Sequence, residues 1–134
     1  MRPESARPYR VLCVEDDADI RAIAELALAD IGGFETRLCA SGDDGLKEAV
    51  DFAPDLVILD VMMPGMDGPE TLRALRQLPD LGPVPVVFMT ARLQDSEVAD
   101  YLAQGVIGVI PKPFDPLTLA EELRALMASA MAQQ

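Results

Sequence analysis

The sequence predicts an α/β domain, a five-stranded parallel sheet with helices packed on both faces. Strand-like and helix-like segments alternate along the whole chain, the pattern of parallel strands joined by helical crossovers. The run Leu56–Asp60, Leu-Val-Ile-Leu-Asp, is almost wholly apolar, as a central strand covered on both faces must be. The chain has 134 residues, half of them hydrophobic, enough for one domain with one proper core.

Each element follows in order. Residues 9–15 read as the first strand. Residues 18–31 carry Ile20, Ile23, Leu26 and Ala27 at helical spacing and stop at Gly32-Gly33. A short strand is expected over 34–39. Residues 42–52 form the next helix, ended by Ala53-Pro54. The central strand is 56–60, and the helix over 69–78 has proline in its first turn. The strand 84–90 is entered through Pro83 and Pro85, and a short helix over 96–104 has Asp95 or Ser96 as its cap. A strand over 106–110 precedes the closing amphipathic helix, 116–131, with Leu117, Leu119, Leu123, Leu126 and Met127 turned inward. The domain is expected over 9–128, with tails at 1–8 and 129–134.

Composition excludes several functions. The net charge of −12 opposes nucleic acid as a partner, because phosphate backbones need a basic surface. No apolar run reaches the length of a membrane span, and the first residues lack the apolar stretch of a secretion signal. A cytoplasmic protein is the expectation. There is no histidine, so triads and zinc sites built on it are excluded. Cys13 and Cys39 lie in apolar strand segments and are expected as buried free thiols.

The chemistry gathers where strands end. Asp60 closes the central strand, and a Pro/Gly loop then leads the chain away. In open parallel sheets that edge is where ligands bind. Glu15 and Asp16 end the first strand, Thr90 the fourth and Lys112 the fifth. Three carboxylates, a hydroxyl and an ammonium together suit a divalent metal and a phosphoryl group. Each is ambiguous alone. Glu15 and Asp16, with Asp17 and Asp19 behind them, also read as a solvated helix cap. Thr90 suits any strand, and Lys112 any loop.

The ten residues Leu59–Gly68, Leu-Asp-Val-Met-Met-Pro-Gly-Met-Asp-Gly, carry the decisive likeness. With Glu15-Asp16, Thr90-Ala91 and Lys112-Pro113 in place, the chain from about residue 9 to 127 resembles the receiver domain of two-component response regulators. The resemblance implies a doubly wound, flavodoxin-like (βα)5 fold with strand order 2-1-3-4-5. It implies Asp60 as phosphoacceptor, assisted by Thr90 and Lys112. It implies Mg²⁺ or Mn²⁺ held by Asp16, Asp60 and the Met62 backbone carbonyl, with Glu15 acting through a metal-bound water. The donor would be a histidine kinase or histidine phosphotransfer protein, and the Lys112–Pro113 peptide would be cis. Ala91 leaves room for the phosphate. The chain would then catalyse only its own phosphorylation and dephosphorylation, and it would signal to an unknown downstream protein.

One position departs from the family pattern. Three residues before the lysine, where the family usually carries an aromatic ring, stands Val109. Tyr101 lies on the preceding helix and is not expected to replace it. Arg92, two residues after Thr90, is expected at the site mouth.

Two other classes fit less well. A haloacid-dehalogenase-type phosphatase needs a second Asp two residues after the first, where Met62 stands. A flavodoxin-like redox carrier needs a Ser/Thr/Gly-rich phosphate loop after the first strand, where this chain has acids. The chain ends soon after the fifth helix, so a stand-alone monomeric receiver is expected. A receiver cut from a larger regulator or hybrid kinase is the alternative. The last helix has a single basic residue, Arg124, which disfavours dimerisation through it.

Overall fold

The computed structural model describes residues 8–91 and 94–132. Most of the expected N-terminal tail, Arg92 and the last two residues lie outside the described residues. The elements are β1 (Arg10–Val14), α1 (Ala18–Glu25), β2 (Glu35–Cys39), α2 (Gly42–Phe52), β3 (Leu56–Asp60), α3 (Gly68–Arg76), β4 (Val86–Thr90), α4 (Asp95–Ala103), β5 (Gly108–Pro111) and α5 (Leu119–Ala132). The strands pair in parallel in the order β2-β1-β3-β4-β5, as the resemblance implies.

This order makes β1 and β3 neighbours whose connections leave toward opposite edges. A crevice therefore opens beyond their C-terminal ends. Register fills it. Val14 lies opposite Leu59, and Asp60 opposite Met89. One step further along β1 places Glu15 beside Asp60.

Every residue of β3 and β4 is buried. Alternation sends their side chains to two cores. One face packs Val57, Leu59, Val86 and Phe88 against Phe52, Leu72 and Leu75 of α2 and α3. The other packs Ile58, Val87 and Met89 against Leu28, Leu119 and Leu123. Cys13 and Cys39 fall in different cores and are free thiols. Burial pushes Cys13 up to about 12 and Cys39 to about 11, so neither is a thiolate at neutral pH. Among the described residues no helix is long and apolar enough to cross a membrane.

Several expectations are corrected. The helix expected over 18–31 changes to a π-helical stretch at Leu26–Ile31. The small Ala24 and Ala27 meet the sheet with Leu28, while Ile23 and Leu26 face solvent. Gln94 precedes α4 without a side-chain cap, because Asp95 and Ser96 already lie inside the first turn. β4 starts at Val86, since the Val84 N–H is taken by the Leu81 carbonyl. β5 runs Gly108–Pro111; Val106 is buried ahead of it, a core residue outside the ladder. α5 starts only at Leu119, because Asp115 holds residues 116–118 in a turn through the N–H groups of Leu117 and Thr118. That turn leaves Leu117 exposed instead of inward. The helix then continues to Ala132, one residue past the end expected at 131.

Candidate functional site

Asp60 is held by backbone on three sides. β1 and β4 flank β3, and the Val61 N–H bonds to the Met89 carbonyl at 2.9 Å. The loop after Asp60 returns tightly, with the Gly68 N–H on the Val61 carbonyl at 3.0 Å. Only glycine permits this approach, because a Cβ at position 68 would stand 2.7 Å from the Asp60 carbonyl oxygen. Asp67 and Glu70 close the turn with a reciprocal capping box. Asp60 is thereby 2% exposed, at the bottom of the crevice.

Glu15 is fully buried beside it. The Lys112 ammonium reaches both acids, donating to Glu15 Oε1 at 2.8 Å and pairing with Asp60 Oδ1 at 3.1 Å. The Asp17 N–H donates to Glu15 Oε2 at 3.2 Å, and the Met62 N–H to Asp60 Oδ1 at 3.4 Å. Burial raises the Glu15 pKa, and the hydrogen bond it shares with Asp60 raises it further. Burial alone would lower that of Lys112, but its bonds to Glu15 and Asp60 outweigh this and raise it. Lys112 is thus a cation at neutral pH, held between two buried acids.

Asp16 stands exposed at the crevice mouth. Its neighbour Asp17 caps α1, accepting from the Asp19 and Ile20 N–H groups; the plain cap reading holds for Asp17 and not for Asp16. Arg21 pins the acidic turn by donating to the carbonyls of Glu15 and Asp16 at 2.8 and 2.9 Å. Sequence reasoning missed this residue, whose signal is a basic side chain one turn after the acid pair.

Among the described residues, Glu15, Asp16 and Asp60 can each offer an oxygen within 4.8 Å of the others. An all-oxygen, carboxylate-rich set suits a hard divalent cation such as Mg²⁺. The two inner carboxylates already gather around a cation, the Lys112 ammonium. The residues present therefore fit the metal.

Thr90 is buried at the end of β4, its carbonyl accepting the Lys112 N–H at 2.9 Å. Ala91 is exposed beside it. The Lys112–Pro113 peptide is cis. Val109 lies opposite Phe88. The Tyr101 ring also reaches Phe88, edge-on, with centroids 5.3 Å apart and planes at 89°.

Comparison with known proteins identifies the family. Residues 11–124 match the family described as the response regulator receiver domain. The chain is 38% identical over 117 residues to the transcriptional regulatory protein AfsQ1 of Streptomyces coelicolor, covering 87% of this chain and 50% of that protein. It is 33% identical over 129 residues to the response regulator Rre1 of Synechocystis, covering 96% and 54%. It thus spans about half the length of these relatives. Among solved structures, the chemotaxis protein CheY4 of Vibrio cholerae superposes with a TM-score of 0.82 at 31% identity, covering 89% of this chain and 98% of that one.

Proposed function

The chain belongs to the response regulator receiver family, and from that premise we propose that it is a phosphorylation switch that accepts a phosphoryl group on Asp60. The observation that carries this reading is the Lys112 ammonium suspended between Glu15 and Asp60. Two buried acids and one cation at converging strand ends have no structural task that a hydrophobic set could not perform as well.

In the step proposed, one carboxylate oxygen of Asp60 attacks phosphorus of a phosphohistidine on the donor protein. The P–N bond breaks, its electron pair stays on the imidazole nitrogen, and that nitrogen takes up a proton. The product on Asp60 is an acyl phosphate. Lys112 follows the charge, moving its contact from the Asp60 carboxylate to a phosphoryl oxygen. The Thr90 hydroxyl donates to another phosphoryl oxygen, and Ala91 leaves the entrance open. Glu15 keeps the ammonium oriented. Asp16, Asp60 and the Met62 carbonyl would hold Mg²⁺ or Mn²⁺, with Glu15 reaching it through water. When bound, the metal neutralises charge on the transferring oxygens.

The donor must cover the rim of this crevice. One side of the rim is apolar, a cavity of about 390 Å³ lined by Ile20, Ile23, Ala91, Lys112, Pro113 and Phe114. Such a surface suits a histidine kinase or phosphotransfer protein better than a small phosphate donor. This reading places the protein in the cytoplasm and gives it no turnover of outside substrates. Its output is altered contact with another protein. The chain spans about half of AfsQ1 and Rre1 and 98% of the CheY4 chain; a second form of the same reading is a receiver that serves a longer regulator. With a net charge of −12, the receiver itself would not touch nucleic acid in either form.

Labelling with acetyl phosphate and Mg²⁺ tests the assignment. The parent should form one base-labile adduct and Asp60→Asn none. Equal incorporation by Asp60→Asn would show that another residue is the acceptor.

A further inference from the structure

The valine at position 109 leaves the family's usual ring unprovided on β5, yet a ring from α4 meets its strand neighbour, Phe88. Val109 and Tyr101 both pack against the core that contains Phe88. Val109 is the direct strand neighbour of Phe88, and Tyr101 comes down from α4 to meet the Phe88 ring edge-on. A valine is small enough to leave that seat open. A ring at 109 would compete for it.

Phe88 is fully buried. It sits two residues before Thr90 on β4 and therefore on the same face of the sheet. α4 has few other anchors. None of its residues is buried, and no side chain caps its start. A helix so loosely held belongs to the low-stability end of a fold, where a small contact decides its position.

We infer that Tyr101 is the positioning residue through which this receiver couples its site to its surface. Its ring, borne on α4 and not on β5, ties that helix to the strand that carries Thr90. The inference rests on the phosphoryl reading of Asp60. When Thr90 is drawn to a phosphoryl oxygen, the end of β4 shifts, the Phe88–Tyr101 contact loosens, and α4 is released from its resting seat.

The composition supplies the probe. The chain has two tyrosines and no tryptophan, so Tyr9→Phe leaves Tyr101 as the only tyrosine. In that protein beryllofluoride with Mg²⁺, a phosphoryl mimic, should change the tyrosine emission and speed amide exchange in Asp95–Ala103 several-fold. Tyr101→Ala should exchange fast in α4 without the mimic and show no further response. Tyr101→Phe keeps the ring and should restore the response, which shows that the ring contact with Phe88 and not the phenol oxygen carries it. Val109→Phe should displace the Tyr101 ring and uncouple α4 while phosphate still enters Asp60.

The inference is overturned if α4 of Tyr101→Ala responds to beryllofluoride as the parent does. It is also overturned if Tyr101 emission stays fixed in a protein whose Asp60 takes phosphate from acetyl phosphate. A parent that takes no phosphate at Asp60 would instead sink the reading of the site, and the coupling with it.

Discussion

Removing the Lys112 charge should destabilise the metal-free protein strongly and the metal-bound protein weakly. The ammonium is the direct ionic partner of Glu15 and Asp60, side chains that are 0% and 2% exposed. Lys112→Met keeps most of the apolar stem and deletes the charge. Breaking a buried pair from one side costs about 3–5 kcal/mol, because the remaining charge is stranded. The Lys112 side chain is 15% exposed, so water already reaches it and the lower end, ~3 kcal/mol, applies. For a domain of this size that corresponds to a fall in Tm of about 10 °C. Millimolar Mg²⁺ returns positive charge to the same carboxylates and stabilises by mass action. The loss should then shrink to ~1 kcal/mol or less. Urea unfolding of parent and Lys112→Met, in EDTA and in Mg²⁺, gives the four midpoints required. A deficit below ~1 kcal/mol in EDTA, or one that Mg²⁺ leaves unchanged, would refute the idea that the site is organised around a cation.

Two further outcomes follow from the same geometry. The Glu15 pKa is raised above its ordinary 4.5, so the folded protein holds this proton more tightly than the unfolded chain. Its contribution to stability is therefore present below 4.5 and is lost as pH rises through the raised value, once metal is removed. Lys112 is raised above 10.5, so its contribution persists up to that pH and fades above it. As pH rises from 4.5 in EDTA the parent loses this contribution and Glu15→Gln does not, so urea midpoints of Glu15→Gln should fall less, or rise more, than those of the parent over that range, and identical slopes would count against a strained Glu15. Gly68→Ala should slow acetyl-phosphate labelling and cost about 1–3 kcal/mol, since its Cβ would meet the Asp60 carbonyl at 2.7 Å and the Val61 Cα at 2.9 Å. Unimpaired labelling would mean that the strand end yields more easily than its backbone contacts suggest.

The central parts of the fold were the most legible. β3 and α2 begin and end where the sequence places them, because a wholly apolar strand and a helix closed by Ala-Pro leave little choice. The edges were less so. Val106 is apolar because it enters the core, and the strand begins two residues later. Leu117 has the spacing of an inward residue but belongs to a turn set by Asp115. Over 18–31 the spacing names Ile20, Ile23, Leu26 and Ala27; Ala27 is buried as the spacing suggests, but Ile23 and Leu26 face solvent, and close packing takes Ala24 and Leu28 instead. At the candidate site, Glu15, Asp16, Asp60, Thr90 and Lys112 could be singled out because each lies at or just beyond the end of a strand. Arg21 and Tyr101 were not, because their partners are a pair of carbonyls and a ring on another element. Such partners emerge only once the sheet is assembled.

The loop after Asp60 is fastened at both ends by backbone and holds Met63 in the core between them. Val61 is bonded to β4, Gly68 closes back onto Val61, and the Asp67–Glu70 box locks the exit. The span between includes a Met62 side chain 72% exposed and Gly65 at φ +76°. Substitution of the exposed side chains there need not shift Asp60, since its contacts with the loop, including the Met62 N–H, are made by backbone. Chemistry and partner choice can therefore diverge separately in descendants of this chain. Duplicated copies could vary at the loop surface, one residue at a time, while Asp60, the proposed phosphoacceptor, stays in place. Insulation between related signalling pairs would then begin in this exposed stretch, a few ångströms from a centre that does not change.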